Sequence, residues 1–436
     1  TSLTGVTVNS SGGMALWRFI KGSPALYFPH VASGGVWETE IGMINDTESE
    51  TITGDLVAYS DLGAEVSRTE VSLAPRGRRA IIVGDEFTDP GQIGYLVFQP
   101  DGDHLCRGYT KFYRNGMYRV AVPAVAELNM DTIYISHIAS GPEWWTGVSL
   151  LNTSADAREI TMEFNTGDTV TRTLAAFEHT DFTIRSLFGG TAPAGVASAV
   201  IRNADGIIGL ELFGSTETSG SSYLSGILLT DDTAQDIYYP HVVSGVNWWT
   251  GIAAYNPADT ATNLEITTYD AAGSILETTD LSLDAREKFI GTAESLGFPA
   301  AAAWFHIHAD APVTGFELFG TTNGQQLGGY AGVGIQRTEG VFAKIENDGW
   351  TGIAFVNTEN ESATVAITAY DDGGTAVASE SLALGAYEKV IGLAPELFTD
   401  DITGATYIHF SSSGNVVGFQ LNGSSDDMML DGLPGM

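Results

Sequence analysis

Ile237-Tyr-Tyr-Pro-His-Val-Val-Ser-Gly-Val-Asn-Trp-Trp-Thr-Gly-Ile-Ala-Ala-Tyr-Asn256 has a near copy in Ile133-Tyr-Ile-Ser-His-Ile-Ala-Ser-Gly-Pro-Glu-Trp-Trp-Thr-Gly-Val-Ser-Leu-Leu-Asn152. A looser copy runs from Leu26-Tyr-Phe-Pro-His30 through Trp37 to Asn45, and a shortened one from Val341 through Trp350-Thr-Gly-Ile-Ala-Phe-Val-Asn357. The closing residue falls at Asn45, Asn152, Asn256 and Asn357, in steps of 107, 104 and 101 residues. Two further landmarks keep the same period. Gly315-Phe-Glu-Leu-Phe-Gly320 matches Gly209-Leu-Glu-Leu-Phe-Gly214, Gly418-Phe-Gln-Leu-Asn-Gly423 and, more weakly, Gly108-Tyr-Thr-Lys-Phe112. Thr268-Tyr-Asp-Ala-Ala-Gly273 matches Ala369-Tyr-Asp-Asp-Gly-Gly374 and Ala58-Tyr-Ser-Asp-Leu-Gly63. A period of about 100 residues is a whole domain, longer than a solenoid turn or a single propeller blade. The chain therefore divides into an N-terminal joining extension, 1–20, and four units, 21–125, 126–230, 231–335 and 336–436.

Unit 3 shows what each is made of. Leu264-Glu-Ile-Thr-Thr-Tyr269 alternates with period 2, the signature of a half-buried strand. Asp270-Ala-Ala-Gly273 is a turn, Ile275 to Leu283 the returning strand, and Ala302-Trp-Phe-His-Ile-His308 alternates again. Asp310-Ala-Pro312 reads as a further turn before Val313 to Phe319. Seven or eight short strands with turn signals every 8 to 12 residues or so predict an antiparallel β-sandwich. The fold class expected is all-β, four tandem Ig-like sandwiches. "Ig-like" denotes the architecture alone, because the Cys-Trp-Cys hallmark of antibody domains is missing and Cys106 is the single cysteine. Glycine supplies 52 of 436 residues, in keeping with many tight turns. One-turn helices are expected at Arg185–Phe188, Thr292–Leu296 and Leu393–Phe398.

The charge is −35, from 54 acidic and 19 basic residues. Such a field repels nucleic acid and anionic membranes. It is uneven: residues 1–125 hold 10 Lys and Arg against 14 Asp and Glu, the remainder 9 against 40. A nearly neutral head and an acidic body could attract each other between molecules. Arg76-Gly-Arg-Arg79 of unit 1 aligns with Arg286-Glu-Lys288 of unit 3. One thiol forms no internal disulfide. The chain begins at Thr1 rather than Met, and no apolar run approaches the roughly 20 residues of a membrane-spanning helix. Secretion or display at the cell surface is the expectation, by elimination.

The succession Trp-Trp-Thr-Gly-Ile-Ala, Asn-Pro or Asn-Thr, Tyr-Asp-x-x-Gly and Gly-Phe-Glu-Leu-Phe-Gly resembles the tandem sandwich modules of bacterial secreted and cell-surface proteins. The resemblance covers nearly the whole chain. It implies an extracellular structural or recognition role and brings no catalytic residues with it. Unit 1 departs most, with Glu38 and Glu40 where units 2 and 3 have Trp and Gly. Unit 4 has Lys344 near the place of the recurring His.

Candidate sites are few. Trp145, Trp249 and Trp350 share parity with small residues, so they should lie on an open ligand-binding face or pack on a neighbouring unit. His30, His137 and His241 recur at one position and read as structural hydrogen-bonding groups. The carboxylate pairs Asp101/Asp103, Asp231/Asp232, Asp371/Asp372, Asp400/Asp401 and Asp426/Asp427 lack the spacing of an EF-hand loop; they read as turn residues, with Ca²⁺ the one cofactor worth testing. No Gly-x-Ser-x-Gly, phosphate loop or His-Glu-x-x-His is present. The expectation is a non-enzyme. Met14, Leu16, Trp17 and Phe19 look like an assembly strand that could join one chain to another head to tail. A self-assembling surface scaffold is the leading reading, a glycan-binding or adhesive repeat array the alternative.

Overall fold

The computed structural model describes residues 25–436 except 115–116, 127, 129–130 and 244. The joining extension and its Met14, Leu16, Trp17 and Phe19 lie outside the described residues. The chain is all-β and its sheets are antiparallel.

The same strand order occurs four times. In unit 3 one set runs Ile275–Leu283, Thr262–Tyr269, the first half of Trp304–Thr321, Ala234–Tyr239. The other runs Lys288–Thr292, Trp248–Tyr255, the second half of Trp304–Thr321, Leu327–Ala331. Alternation puts one face of each set on a shared core that includes Ile252, Leu264, Ile266, Phe305, Ile307 and Val313. Corresponding clusters fill units 1, 2 and 4 around Met43 and Leu96, Met162 and Ile201, and Phe355 and Phe410.

The turn expected at Asp310-Ala-Pro312 is not one. Trp304–Thr321 is a single strand that crosses from one set to the other, with a register shift opposite Ala234 and Asp236. Units 1 and 2 do break there, at Gly102 (φ +96°) and at Asn203 and Gly206 (φ +58° and +77°). Unit 3 has no residue in that left-handed region at this place, so its strand runs through. Tyr407–Ser424 of unit 4 does the same. Of the expected one-turn helices, Ile184–Leu187 and Ala394–Leu397 form, the second as a 3₁₀ turn; 293–297 is a hydrogen-bonded turn.

Each landmark asparagine is fully buried. Asn256 Nδ2 donates to Thr260 O and Asp284 O at 2.8 and 2.9 Å, tying the end of its strand to two loops. Asn45, Asn152 and Asn357 do the same in their units, which is why the motif closes on this residue four times.

The last strands of the units, Tyr118–Pro123, Leu224–Leu228, Leu327–Ala331 and Leu430–Pro434, pack on one another in a closed cycle: first on second, second on third, third on fourth, fourth on first. Glycine permits the approach. A Cβ on Gly432 would lie 2.9 Å from Gly329 O, and one on Gly328 3.0 Å from Leu430 Cγ. The four units thus close into one body.

Candidate functional site: the joints between units

The residues singled out by the repeat meet where one unit packs on the next. Trp249 lies across its own sheet, so close that a Cβ on Gly320 would be 2.1 Å from its Cζ2 and one on Gly251 2.8 Å from its Cζ3. Gly423 relates to Trp350 in the same way. The glycines of Trp-Thr-Gly and of the Gly-x-x-x-x-Gly landmark therefore make room for one indole. That sheet face is turned to the preceding unit. Ala253 packs with Phe213 and Ile227 of unit 2, and the Trp249 ring stands edge-on to Tyr223, 6.1 Å between centroids. Trp350 clusters with Phe319 and Tyr330 of unit 3, and Trp145 with Phe112 and Val120 of unit 1. All three indoles are half-buried. Trp37, Tyr118 and Trp145 also border a cleft of about 210 Å³.

The first residue of each unit's fifth strand reaches into the unit before it. Lys389 Nζ donates to His241 Nδ1 at 2.6 Å and Ala303 O at 2.7 Å. Lys288 Nζ donates to His137 Nδ1 at 3.2 Å and Ala197 O at 2.6 Å. Arg78 of unit 1 reaches unit 4, donating to Ala343 O at 3.0 Å and Asp372 Oδ1 at 2.9 Å. His179 of unit 2 meets His30 of unit 1, 3.2 Å between Nε2 and Nδ1. The recurring histidines are thus the sockets of a repeated joint. Burial, with the neighbouring ammonium adding to it, holds His137 and His241 far below the ordinary imidazole value, so each stays neutral and accepts. Burial lowers Lys288 to about 8 and Lys389 to about 7, against the pull of Glu211 and Glu317. Burial raises Glu211 to about 8.

Two more bonds recur. Backbone N–H groups of Arg78, His179 and Lys389 donate to Asp372 O, Asp61 O and Ala271 O of the neighbouring unit at 2.8 to 3.0 Å. Ring donors Tyr407 and Tyr95 and the Trp304 indole N–H bond to the carbonyls of Arg76, Phe177 and Tyr387 at 2.7 to 3.1 Å. Those three acceptors all have φ near +55 to +59°.

The joint between units 1 and 4 adds charge. Lys111 pairs with Glu346 and, at 3.2 Å, with Asp431; Arg119 pairs with Asp431; Lys344 pairs with Glu40 at 2.6 Å. The charge asymmetry expected to act between molecules has a counterpart within the chain: Lys111 and Arg119 of unit 1 meet acids of unit 4, while Lys344 of unit 4 meets Glu40 of unit 1. Burial pushes the Glu40 and Asp431 carboxyls up, but Lys344 and Lys111 on the first, and Lys111 and Arg119 on the second, outweigh it and hold both below the ordinary carboxylate range. Two sequence signals touch these basic residues: the alignment of Arg76–Arg79 with Arg286–Lys288, and Lys344 near the place of the recurring His. Their partners, far away in the chain, left none.

Among the described residues no cluster of three or more His, Cys, Asp or Glu side chains is placed to hold a metal. Asp270 and Asp371 cap turns, accepting from the backbone N–H of Ser274 and Thr375 at 2.8 and 2.7 Å. Also among the described residues, no helix is long and apolar enough to cross a membrane. Cys106 is buried, and its thiol is pushed up to about 12.

No family model matches the chain, and neither does any curated protein. A solved structure described as a tetra-tandem repeat in the extending region of a large adhesion protein is 12% identical over 90% of this chain and 92% of its own, with a TM-score of 0.12. A score that low carries no argument about this chain.

Proposed function

We propose that the chain is an extracellular or cell-surface structural repeat protein, built of four Ig-like β-sandwich domains that close into a single rigid body and work through shape and surface. The observation that carries this reading is the repeated joint: a lysine- or arginine-centred device recurs at three of the four joints, including the return from unit 4 to unit 1, and His179 takes its place at the joint between units 1 and 2. A chain that invests its most regular residues in holding its units together is organised as a scaffold. Head-to-tail growth through these faces would require the joint between units 1 and 4 to open, because the chain already uses both faces itself. The adhesive alternative draws on the cleft beside Trp37, Tyr118 and Trp145, where half-buried rings could stack on a sugar.

Immunogold micrographs of the source cells test the location: gold at the surface or in extracellular material supports the proposal, and gold confined to the cytoplasm contradicts it. A glycan array separates the two roles. Binding lost in Trp37→Ala or Trp145→Ala favours adhesion, whereas no binding by folded protein favours the scaffold.

A further inference from the structure

The joint between units 1 and 2 departs from its siblings. Where the others place Arg78, Lys288 or Lys389, it has His179. Where Gly42, Ala253 and Ala354 stand in units 1, 3 and 4, unit 2 has Ser149. Where units 2 and 3 carry Ala197 and Ala303, unit 1 has Gly94. These three departures converge. Ser149 Oγ is 2.9 Å from His179 Nε2, and His179 Nδ1 is 2.7 Å from Asp61 Oδ1. The same two residues are joined through their backbones, His179 N to Asp61 O at 2.8 Å, so the imidazole and carboxylate are held at two points. A Cβ on Gly94 would lie 2.3 Å from Asp61 Oδ1 and 2.9 Å from His179 Nδ1. Glycine is therefore what lets the pair form.

Ser149, 3% exposed, lines a cavity of about 260 Å³ together with His30, Trp37, Phe112, Trp145 and Thr183, and its Oγ also lies 3.4 Å from Pro29 O. We propose that this joint is an acyl-transfer site acting on small esters of flat, apolar alcohols, with Ser149 as nucleophile, His179 as general base and Asp61 as the residue that fixes the imidazole. The roles follow from the geometry. Asp61 accepts the Nδ1 proton, which leaves the Nε2 lone pair toward the serine hydroxyl. Ser149 Oγ adds to the ester carbonyl carbon as its proton passes to Nε2. The tetrahedral adduct collapses, the C–O bond to the alcohol breaks, and the leaving oxygen takes that proton from Nε2. Water then adds to the acyl-serine, gives a proton to Nε2, and the acid departs as the proton returns to Oγ. No oxidant or further reactant is needed. His30 Nδ1 lies 3.2 Å from the same Nε2. Burial, reinforced by His179, keeps His30 neutral with its value lowered to about 3, so it does not compete as a cation. The rings of Trp37, Phe112 and Trp145 suit an aromatic leaving group.

This inference goes beyond the scaffold reading and leaves it standing if it fails. It departs from the expectation of a non-enzyme: residues 61, 149 and 179 come from two units, and such a set forms no local motif. The test uses the full chain with p-nitrophenyl acetate and, separately, a fluorophosphonate probe. The expected results are turnover above buffer and a covalent adduct mapped to Ser149 by peptide mass spectrometry. Ser149→Ala, which installs the residue units 3 and 4 already carry, should abolish the adduct and lower turnover roughly 100-fold or to the buffer rate. Gly94→Ala should displace Asp61 and lower turnover while the melting temperature is nearly kept, since units 2 and 3 tolerate alanine there. A folded wild-type protein that forms no adduct at Ser149, or turnover unchanged in Ser149→Ala, overturns the proposal.

Discussion

The smallest structural unit of the repeat is one indole on two glycines. Trp249 fills the space that side chains on Gly251 and Gly320 would occupy. Gly320→Ala should therefore overpack the site and destabilise the chain by about 1–3 kcal/mol in denaturant titration. Gly141→Ala, where a Cβ would meet nothing within 4 Å, should change stability by no more than about 0.5 kcal/mol. Equal effects would show that the indole does not determine the glycine. Parity in the sequence puts Trp249 on the side of Gly251 and Ala253, and the structure places Ala253 against unit 2. Which ligand or unit that side meets was not legible, because parity fixes a face and says nothing of what covers it. The single-residue signals that were legible, such as Asn256 and the Asp270 side chain that accepts from Ser274 N–H, depend on contacts within one unit.

At the scale of elements, the strand is the legible unit and the joint is not. Leu264–Tyr269 reads correctly because alternation is local. The continuous strand Trp304–Thr321 does not, since a Pro and an Asp together look like a turn unless the whole strand is held on both sides by partners remote in sequence. The same limit hides Lys288, whose partners His137 and Ala197 are 151 and 91 residues away. Its chemistry gives a test. The ordinary lysine value of 10.5 falls to about 8 in the folded chain. Between those values the unfolded chain binds the extra proton, so this group's contribution to stability rises with pH from about 8 to 10.5, by up to about 1.4 kcal/mol per pH unit. Wild type should gain stability over Lys288→Met across that window in parallel urea titrations. A constant difference would contradict the buried, depressed lysine.

At the scale of the whole molecule, four joints at matching places, three built on Lys or Arg and one on His179, close the chain on itself. Period and landmarks in the sequence point to four units. Their closure could not be read, because it depends on pairs such as Arg78–Asp372 and Lys344–Glu40 that join the two ends of the chain. The joint between units 1 and 4 is the only one of the four that brings together units far apart in sequence, and it is the most charged. Asp431 is fully buried between Lys111 and Arg119. Asp431→Asn should leave two buried cations short of a counter-charge and destabilise by about 3–5 kcal/mol. Acid should act at the same place. Glu40 and Asp431 sit below their ordinary values of 4.5 and 3.8, so their stabilising contribution is fully present above about pH 5 and is lost as pH falls through the lower folded values. Closure between units 1 and 4 should therefore weaken below about pH 4, read as a fall in the energy transfer between dyes placed on those two units, while dyes on units 2 and 3 hold theirs.

Small-angle X-ray scattering on the monomeric chain at neutral pH tests the closure most directly. A compact body of 436 residues should give a radius of gyration of about 22 Å. Four domains strung end to end would give about 40 Å. A value near the first, with a globular scattering profile, is the account's expectation; a value near the second would contradict it.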